Sequence, residues 1–314
     1  MTQFSLRQLR YLQALAHAGH FGRAAQACHV TQPALSMQVR QLEDMLGVEL
    51  FERAPGRVTL THAGKEVLRR ADEILTKSQD LMDFARHAQG VLVGELKLGI
   101  IPTIGPYLLP DALEKIGQLY PELSLRLRET QTSVLIEELV QGQLDVVLAA
   151  LPVTGGELAE AALFEDRFLL AVPAGHPLAG RAATDLKCVE GERLLLLEEG
   201  HCFRDQALSY CAQADPAMTA GFGATSFATI LQMVASGYGV TLLPEMAVAS
   251  EVGGRQGISV LRFAAPQPRR VIGLVWRKSS PRHADFSALG ALVVDIAREH
   301  GWEPSVVSPR GGGA

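Results

Sequence analysis

Apolar positions repeat at helical spacing from the start of the chain. Leu6, Leu9, Leu12 and Leu15 share one face and predict a helix over residues 4–17, which Gly19 ends. Residues 21–29, with Ala24, Ala25 and Ala27, predict a second, short helix whose small side chains allow close packing. Val30 forms a turn. Thr31 stands as an N-cap and Pro33 as an early helical residue, so a third helix is predicted through Leu35, Val39, Leu42 and Met45 to Gly47. Residues 48–60 then predict a β-hairpin with Pro55-Gly56 at its turn. Past Thr61 a single long helix runs to about Gln89. Leu68, Leu75 and Met82 recur every seven residues, with Ala71, Ser78 and Ala85 offset by three and Ile74 and Leu81 widening the stripe. That is a coiled-coil seam, and it needs a partner: a second copy of the chain, or the chain's own first helices.

Gly90 and Gly94 mark a hinge, after which strands and helices alternate. Strands are predicted at 94–101, 123–129, 144–151, 168–173, 194–197 and 240–243, and helices at 106–120 and 132–141. Alternation of this kind predicts a parallel α/β sheet, which binds ligands at the carboxyl ends of its strands. A late strand at 271–276 is expected to return to the first half, followed by a last long helix at 286–300. Residues 303–314 lack a core-forming pattern and are expected to be disordered. The expected domains are 1–60, 61–90 as a linker helix, and 91–302, with 303–314 as a tail.

Composition narrows the class. The chain has 314 residues, 47% hydrophobic, and four cysteines, too few for a disulfide scaffold. No stretch of 18 apolar residues and no leader-like start are evident, which leads to the expectation of a cytoplasmic protein with reduced thiols and no membrane partner. In such a protein a disulfide is more often transient than structural. Net charge is −5 overall, but residues 1–64 carry six arginines against four acids. That excess is a weak electrostatic footprint, so DNA binding rests on pattern. Two short helices with a tight turn and a small-residue seam, followed by a basic hairpin, make a winged helix-turn-helix. The second of the pair would enter the major groove. Thr31, Gln32, Pro33, Ser36, Met37 and Arg40 form the candidate reading surface, and Arg53 and Arg57 suit phosphates or the minor groove. A three-helix packing module is the alternative.

The candidate chemistry lies in Gly200-His201-Cys202-Phe203-Arg204-Asp205-Gln206-Ala207-Leu208-Ser209-Tyr210-Cys211. Residues 203–210 read as a short helix with Cys202 near its N-terminus, where the helix dipole, free N–H groups and Arg204 all favour a thiolate. Nine residues of helix would separate Cys202 and Cys211 by roughly 13 Å, too far for a disulfide. If the two pair, the segment must refold. The competing interpretation is two buried thiols packed as small apolar groups. Cys28 reads as core packing and Cys188 as structural. His17, His20, His29 and His62 lack metal spacing, and no metal site is expected.

Phe21-Gly22-Arg23-Ala24-Ala25, Val30-Thr31-Gln32-Pro33-Ala34-Leu35-Ser36, Gln38-Val39, Leu42-Glu43 and Leu50-Phe51-Glu52-Arg53 resemble the LysR-type transcriptional regulators. So does Met233-Val234-Ala235-Ser236-Gly237-Tyr238-Gly239-Val240-Thr241-Leu242-Leu243-Pro244. Glu198-Glu199 with the segment 200–211, Ile101-Pro102-Thr103-Ile104-Gly105-Pro106, and Glu129-Thr130-Gln131-Thr132 resemble the hydrogen-peroxide-sensing OxyR branch. The resemblance implies an α plus α/β chain: a winged helix-turn-helix, a linker helix, and a two-lobed effector domain like the periplasmic binding proteins. It implies a non-enzymatic regulator, mainly an activator of peroxide-stress genes, in which Cys202 is the peroxidatic cysteine and Cys211 the resolving one. Thr103, Thr132, His201 and Asp205 would help hold peroxide. Arg270, from its place at the start of a strand near the crevice, is a candidate support for the thiolate. Phe203 stands where an aliphatic residue is expected. The implied partners are promoter DNA, a second subunit through Leu68, Leu75 and Met82, a homotetramer through the effector domains, RNA polymerase and a cytosolic thiol reductant. No cofactor is implied. The rivals are a regulator that responds to a small organic effector in the inter-lobe crevice, a thiol peroxidase, and a binding protein without DNA function.

Overall fold

Ser5 opens the first helix with a reciprocal cap. Its Oγ accepts from Gln8 N–H at 3.3 Å, and Gln8 Oε1 accepts from Ser5 N–H at 2.8 Å. Helix α1 runs Leu6–Ala18 and ends at Gly19, whose φ of 61° is the left-handed conformation glycine favours. Helix α2, Phe21–Ala27, is capped by His20, whose Nδ1 accepts from Gly22 N–H at 3.0 Å. Helix α3, Gln32–Leu46, follows Thr31, which has the extended backbone of an N-cap but makes no side-chain capping bond. Strands β1, Phe51–Ala54, and β2, Arg57–Leu60, pair antiparallel as the hairpin. The computed structural model describes residues 4–54, 57–87, 90–181, 183–184, 191–210 and 223–304. Pro55-Gly56, the side chain of Arg53, Cys188 and Cys211 lie outside the described residues.

Two compact units divide the chain, Met1–Ala88 and Gln89–Ala314. In the first, Leu12, Leu15, Ala24, Leu35, Val39, Leu42 and Leu50 are fully buried. Helix α4, His62–His87, starts against this core. Gly64 must be glycine there, because a Cβ would sit 2.1 Å from Leu50 O. The heptad stripe divides along the helix. Leu68 and Leu75, with Val67 and Ala71, pack on the unit's own core, and Gln13 Nε2 donates to Asp72 at 2.9 Å. Leu81, Met82 and Phe84 are exposed.

The second unit is built on a mixed sheet, where the alternating pattern predicted a parallel one. Strands β3, Gly94–Ile100, β4, Leu123–Glu129, and β5, Val146–Leu151, are parallel, with helices α5, Gly105–Leu119, and α6, Thr132–Val140, between them. Strand β6 spans Leu158–Pro173, ten residues longer at its start than predicted. It does not pair with β5; a strand from late in the chain lies between the two and runs antiparallel to both. Its first part pairs with β12, Arg269–Arg277, which in turn pairs with β5. Its last part pairs with β10, Thr241–Pro244, and β11, Ile258–Phe263. Strands β6 and β12 thus run between two lobes. The second lobe adds β7, Ala183–Thr184, β8, Leu196–Leu197, helix α7, Cys202–Tyr210, β9, Gly223–Ala224, helix α8, Phe227–Ala235, and the short α9, Val248–Glu251. Helix α10, His283–Glu299, covers the first lobe. Trp302 stacks on Phe164, and Glu303 and Pro304, expected in a disordered tail, form β13 against Glu165 and Phe164. Glu303 is fixed there by Arg167.

The first lobe is pinned by Arg282. Its Nε donates to Asp285 Oδ2 at 2.8 Å, and its Nη1 donates to Glu95 O at 2.7 Å and to Asp145 Oδ2 at 3.2 Å. The two carboxylates also accept from the backbone N–H groups of Leu92 and Lys97. Arg282→Met removes one buried cation from beside two buried carboxylates. The expected cost is about 3–5 kcal/mol in urea unfolding of the regulatory unit; a loss near zero would show that the carboxylates are held by their other partners.

Candidate functional site

Helix α7 begins at Cys202, immediately after a turn that glycine makes possible. Gly200 has φ of +92°, and a Cβ there would meet Gln131 Oε1 at 2.4 Å. The Gln131 side chain lies over that turn and donates to Glu199 O at 3.2 Å. Phe203, the second residue of α7, is buried between Phe168 and Phe227, with centroids 4.9 and 5.1 Å away and both contacts edge-on. Burying such a ring contributes about 1.5–3 kcal/mol. Ala207, one turn on, is fully buried on the same side. Arg204, expected beside the thiol, sends Nη1 to Leu197 O at 3.0 Å. The aromatic at 203 thus has a physical role: it seats the helix.

His201 and Cys202 are neighbours in sequence and line different cavities. Cys202 is a free thiol, half-buried, in an open cleft of about 580 Å³ with Thr132, Ser133, Asp205 and Gln206. Thr132 Oγ1 and Gln206 Oε1 are both buried there without a hydrogen-bond partner among the described residues. Unsatisfied buried polar atoms are costly, and these two sit on one cleft, where water or another polar guest can meet them. Gln206 was not singled out from sequence; an acceptor one helical turn after Cys202 was the available signal. Thr103 and His201 line a second cavity of about 140 Å³ with Tyr107, Glu129, Thr225 and Glu251. Tyr107 Oη donates to Glu251 at 3.1 Å, and burial, then that carboxylate, pushes the phenol well above its ordinary range.

Arg270 connects the two sides. It is fully buried, and its Nε donates to Asp166 Oδ2 at 2.9 Å. Its Nη1 donates to Thr103 Oγ1 at 2.7 Å and its Nη2 to Thr103 O at 2.9 Å. Its guanidinium lies 5.2 Å from the centroid of Phe203. Burial pushes the Asp166 carboxyl up, and Arg270 and the Met246 N–H pull against it. Of the six residues singled out in this domain besides Cys211, the structure therefore brings Cys202, Thr132 and Asp205 to one cleft. Thr103 and His201 line the second cavity instead, and Arg270 bonds Thr103. Among the described residues no group of three His, Cys, Asp or Glu side chains could hold a metal.

In the first unit, Thr31, Gln32, Pro33, Met37 and Arg40 are exposed along the start of α3, and Ser36 is half-buried among them. Arg57 is exposed on β2. Among the described residues no helix is long and apolar enough to cross a membrane.

A DNA-reading head joined to a two-lobed α/β regulatory unit defines a class, and sequence comparison agrees with it. Residues 6–65 match the family of bacterial regulatory helix-turn-helix proteins, lysR family, and residues 89–298 match the LysR substrate binding domain. The chain belongs to the LysR family of transcription regulators, in the branch of the hydrogen peroxide-inducible genes activators. It is 42% identical over 289 residues to the DNA-binding transcriptional dual regulator OxyR of Escherichia coli, covering 92% of this chain and 94% of that one. Full-length OxyR of Pseudomonas aeruginosa, a cysteine-to-aspartate variant, superposes with a TM-score of 0.81 at 37% identity, covering 98% of this chain and all of that one. A hydrogen-peroxide-bound cysteine-to-serine variant of Corynebacterium glutamicum OxyR gives 0.67 at 35% identity, covering 95% and 94%.

Burial pushes the His201 imidazole below its ordinary value of 6.5, with Glu198 partly offsetting it. The unfolded chain then takes up a proton near pH 6.5 that the folded chain refuses. Stability is complete above that pH and falls as pH drops through the lowered folded value. His201→Gln is expected to shrink the loss of unfolding midpoint between about pH 7.5 and about pH 5.5; an unchanged loss would remove His201 from the acid response.

Proposed function

We propose that this chain is a DNA-binding activator of peroxide-stress genes, switched by a reversible disulfide between Cys202 and Cys211. The observation that carries it is Cys202 at the first position of α7, on a cleft with two buried polar atoms that have no hydrogen-bond partner among the described residues. The Cys202 thiolate attacks one oxygen of hydrogen peroxide, the O–O bond breaks, and Cys202 becomes a sulfenic acid as hydroxide leaves. The Cys211 thiol then displaces water from that sulfur, forming the disulfide. Thr132, Asp205 and Gln206 would orient the peroxide, with Thr103, His201 and Arg270 supporting them. Helix α7 rises about 12 Å between Cys202 and Tyr210, and Cys211 is joined directly to Tyr210. The two cysteines therefore cannot reach the roughly 7 Å of a disulfide while α7 is intact. Closing the bond unwinds the helix, and that change is the signal.

The rest of the assembly follows the family. Exposed Leu81, Met82 and Phe84 on α4 suit a subunit interface, the regulatory units join dimers into a tetramer, and α3 and Arg53 and Arg57 of the hairpin meet promoter DNA. RNA polymerase and a cytosolic thiol reductant complete the set, in the cytoplasm. The cleft volume of about 580 Å³ favours one second interpretation, a small organic effector bound there.

About one equivalent of hydrogen peroxide added to the reduced protein, followed by peptide mapping without reductant, is expected to give a linked Cys202–Cys211 peptide that added thiol removes. Cys202→Ser is expected to abolish both this peptide and the transcriptional response to peroxide. Free thiols after peroxide, with a response retained in Cys202→Ser, would leave the effector interpretation. Thr132→Val is expected to leave the unfolding midpoint unchanged or slightly raised, since Oγ1 has no hydrogen-bond partner among the described residues, while slowing sulfenic acid formation about tenfold. Equal rates would free Thr132 of any role in peroxide binding.

A further inference from the structure

Tyr210 ends α7 and is the residue before Cys211. Its Oη donates to Arg269 O at 2.7 Å and accepts from Arg269 N–H at 3.4 Å. Its ring meets Phe168 edge-on, with centroids 5.5 Å apart and planes at 89°. Phe168 also holds Phe203, so one buried ring of β6 takes a contact from each end of α7. The strand end that receives Oη is itself fixed. Arg269 pairs with Arg167 across β6, its guanidinium lies 2.9 Å from Glu165, and Pro268 O accepts from Phe168 N–H at 2.8 Å. The next residue is the buried Arg270.

We propose that Tyr210 is a latch on the dithiol form, whose hydrogen bonds to Arg269 set how readily Cys202 and Cys211 join. The proposal rests on the disulfide switch above. Consecutive Cα atoms lie 3.8 Å apart, so a residue joined to a latched Tyr210, about 12 Å from Cys202, stays roughly 8 Å or more from it. A disulfide needs less than about 7 Å. Closure therefore requires the latch to open, and the stability of the latch opposes it. The hydroxyl is the separable part: Tyr210→Phe keeps the ring on Phe168 and removes both hydrogen bonds.

The full-length native chain and Tyr210→Phe are equilibrated with mixtures of reduced and oxidised dithiothreitol. In this exchange the two protein thiols become a disulfide as the oxidised reagent becomes the dithiol. The linked peptide is quantified without reductant. Half-oxidation of Tyr210→Phe is expected at a ratio of oxidised to reduced reagent about fivefold lower than for the native chain, what the loss of an ordinary net hydrogen bond produces. Disulfide closure after peroxide is expected to accelerate. Sulfenic acid formation, trapped with a 1,3-dione in a Cys211→Ser background, is expected to stay within about twofold. Tyr210→Leu, which also loses the ring contact, is expected to shift at least as far. A midpoint shift below about twofold, or in the opposite direction, overturns the latch. So does equal acceleration of the sulfenic step, which would assign Tyr210 to the reactivity of Cys202. Absence of a linked peptide in the native chain removes the switch and the latch with it; a linked peptide at the same ratio in both chains removes the latch alone.

Discussion

A guanidinium taken out of water must find a counter-charge and acceptors for its N–H groups, or its desolvation is not recovered. Arg270 meets that constraint by drawing distant parts of the regulatory unit to one point. Asp166 comes from β6, Thr103 from the end of β3, and Met246 from the turn after β10. The last face of the guanidinium is closed by the Phe203 ring of α7. The segment that carries Cys202 is therefore not an appendage of the second lobe. Its second residue covers the charge that ties β3, β6 and β12 together.

The same geometry decides where a change in α7 is felt. Phe168 stands where β6 stops pairing with β12 and starts pairing with β10. Phe203 and Tyr210 both rest on that ring, and Tyr210 also bonds the first residue of β12. A helix anchored at a strand junction has its contacts on both strands that run between the lobes. In the proposed switch, unwinding would lose those contacts together, and that loss would bias the arrangement of the two lobes.

Much of this was legible in the sequence, because apolar periodicity records local structure. The head helices, the long α4 and the strands of the first lobe were foreseen within a few residues, and helix α7 within one. The first ten residues of β6 were not. Glu165, Asp166 and Arg167 interrupt the apolar alternation, and they are tolerated because Arg269, Arg270 and Glu303 arrive from about 100 residues away or more. The pairing of Glu303 and Pro304 was hidden for the same reason. The division of the singled-out residues between two cavities was also invisible. Adjacent residues at a helix start point in different directions, and no spacing rule states which cavity each will meet. Phe203 looked like an irregularity until Phe168, Phe227 and Arg270 gave it neighbours.

Nine residues of helix are too few to be stable alone, since nucleation is costly and only the later hydrogen bonds recover it. Helix α7 exists because Phe203 and Ala207 are buried and Arg204 and Tyr210 reach backbone carbonyls outside it. Each of those contacts is worth a kcal/mol or a few at most. Losing them opposes closure, and what must exceed their sum is the free energy of oxidising the dithiol, in which about 30 mV of potential corresponds to about 1.4 kcal/mol. A helix held much more strongly would keep its thiols apart after oxidation. One held much more weakly would let them meet without a clear difference between two states. The modest, separable anchors at the two ends of α7 are what the proposed reversible switch would require.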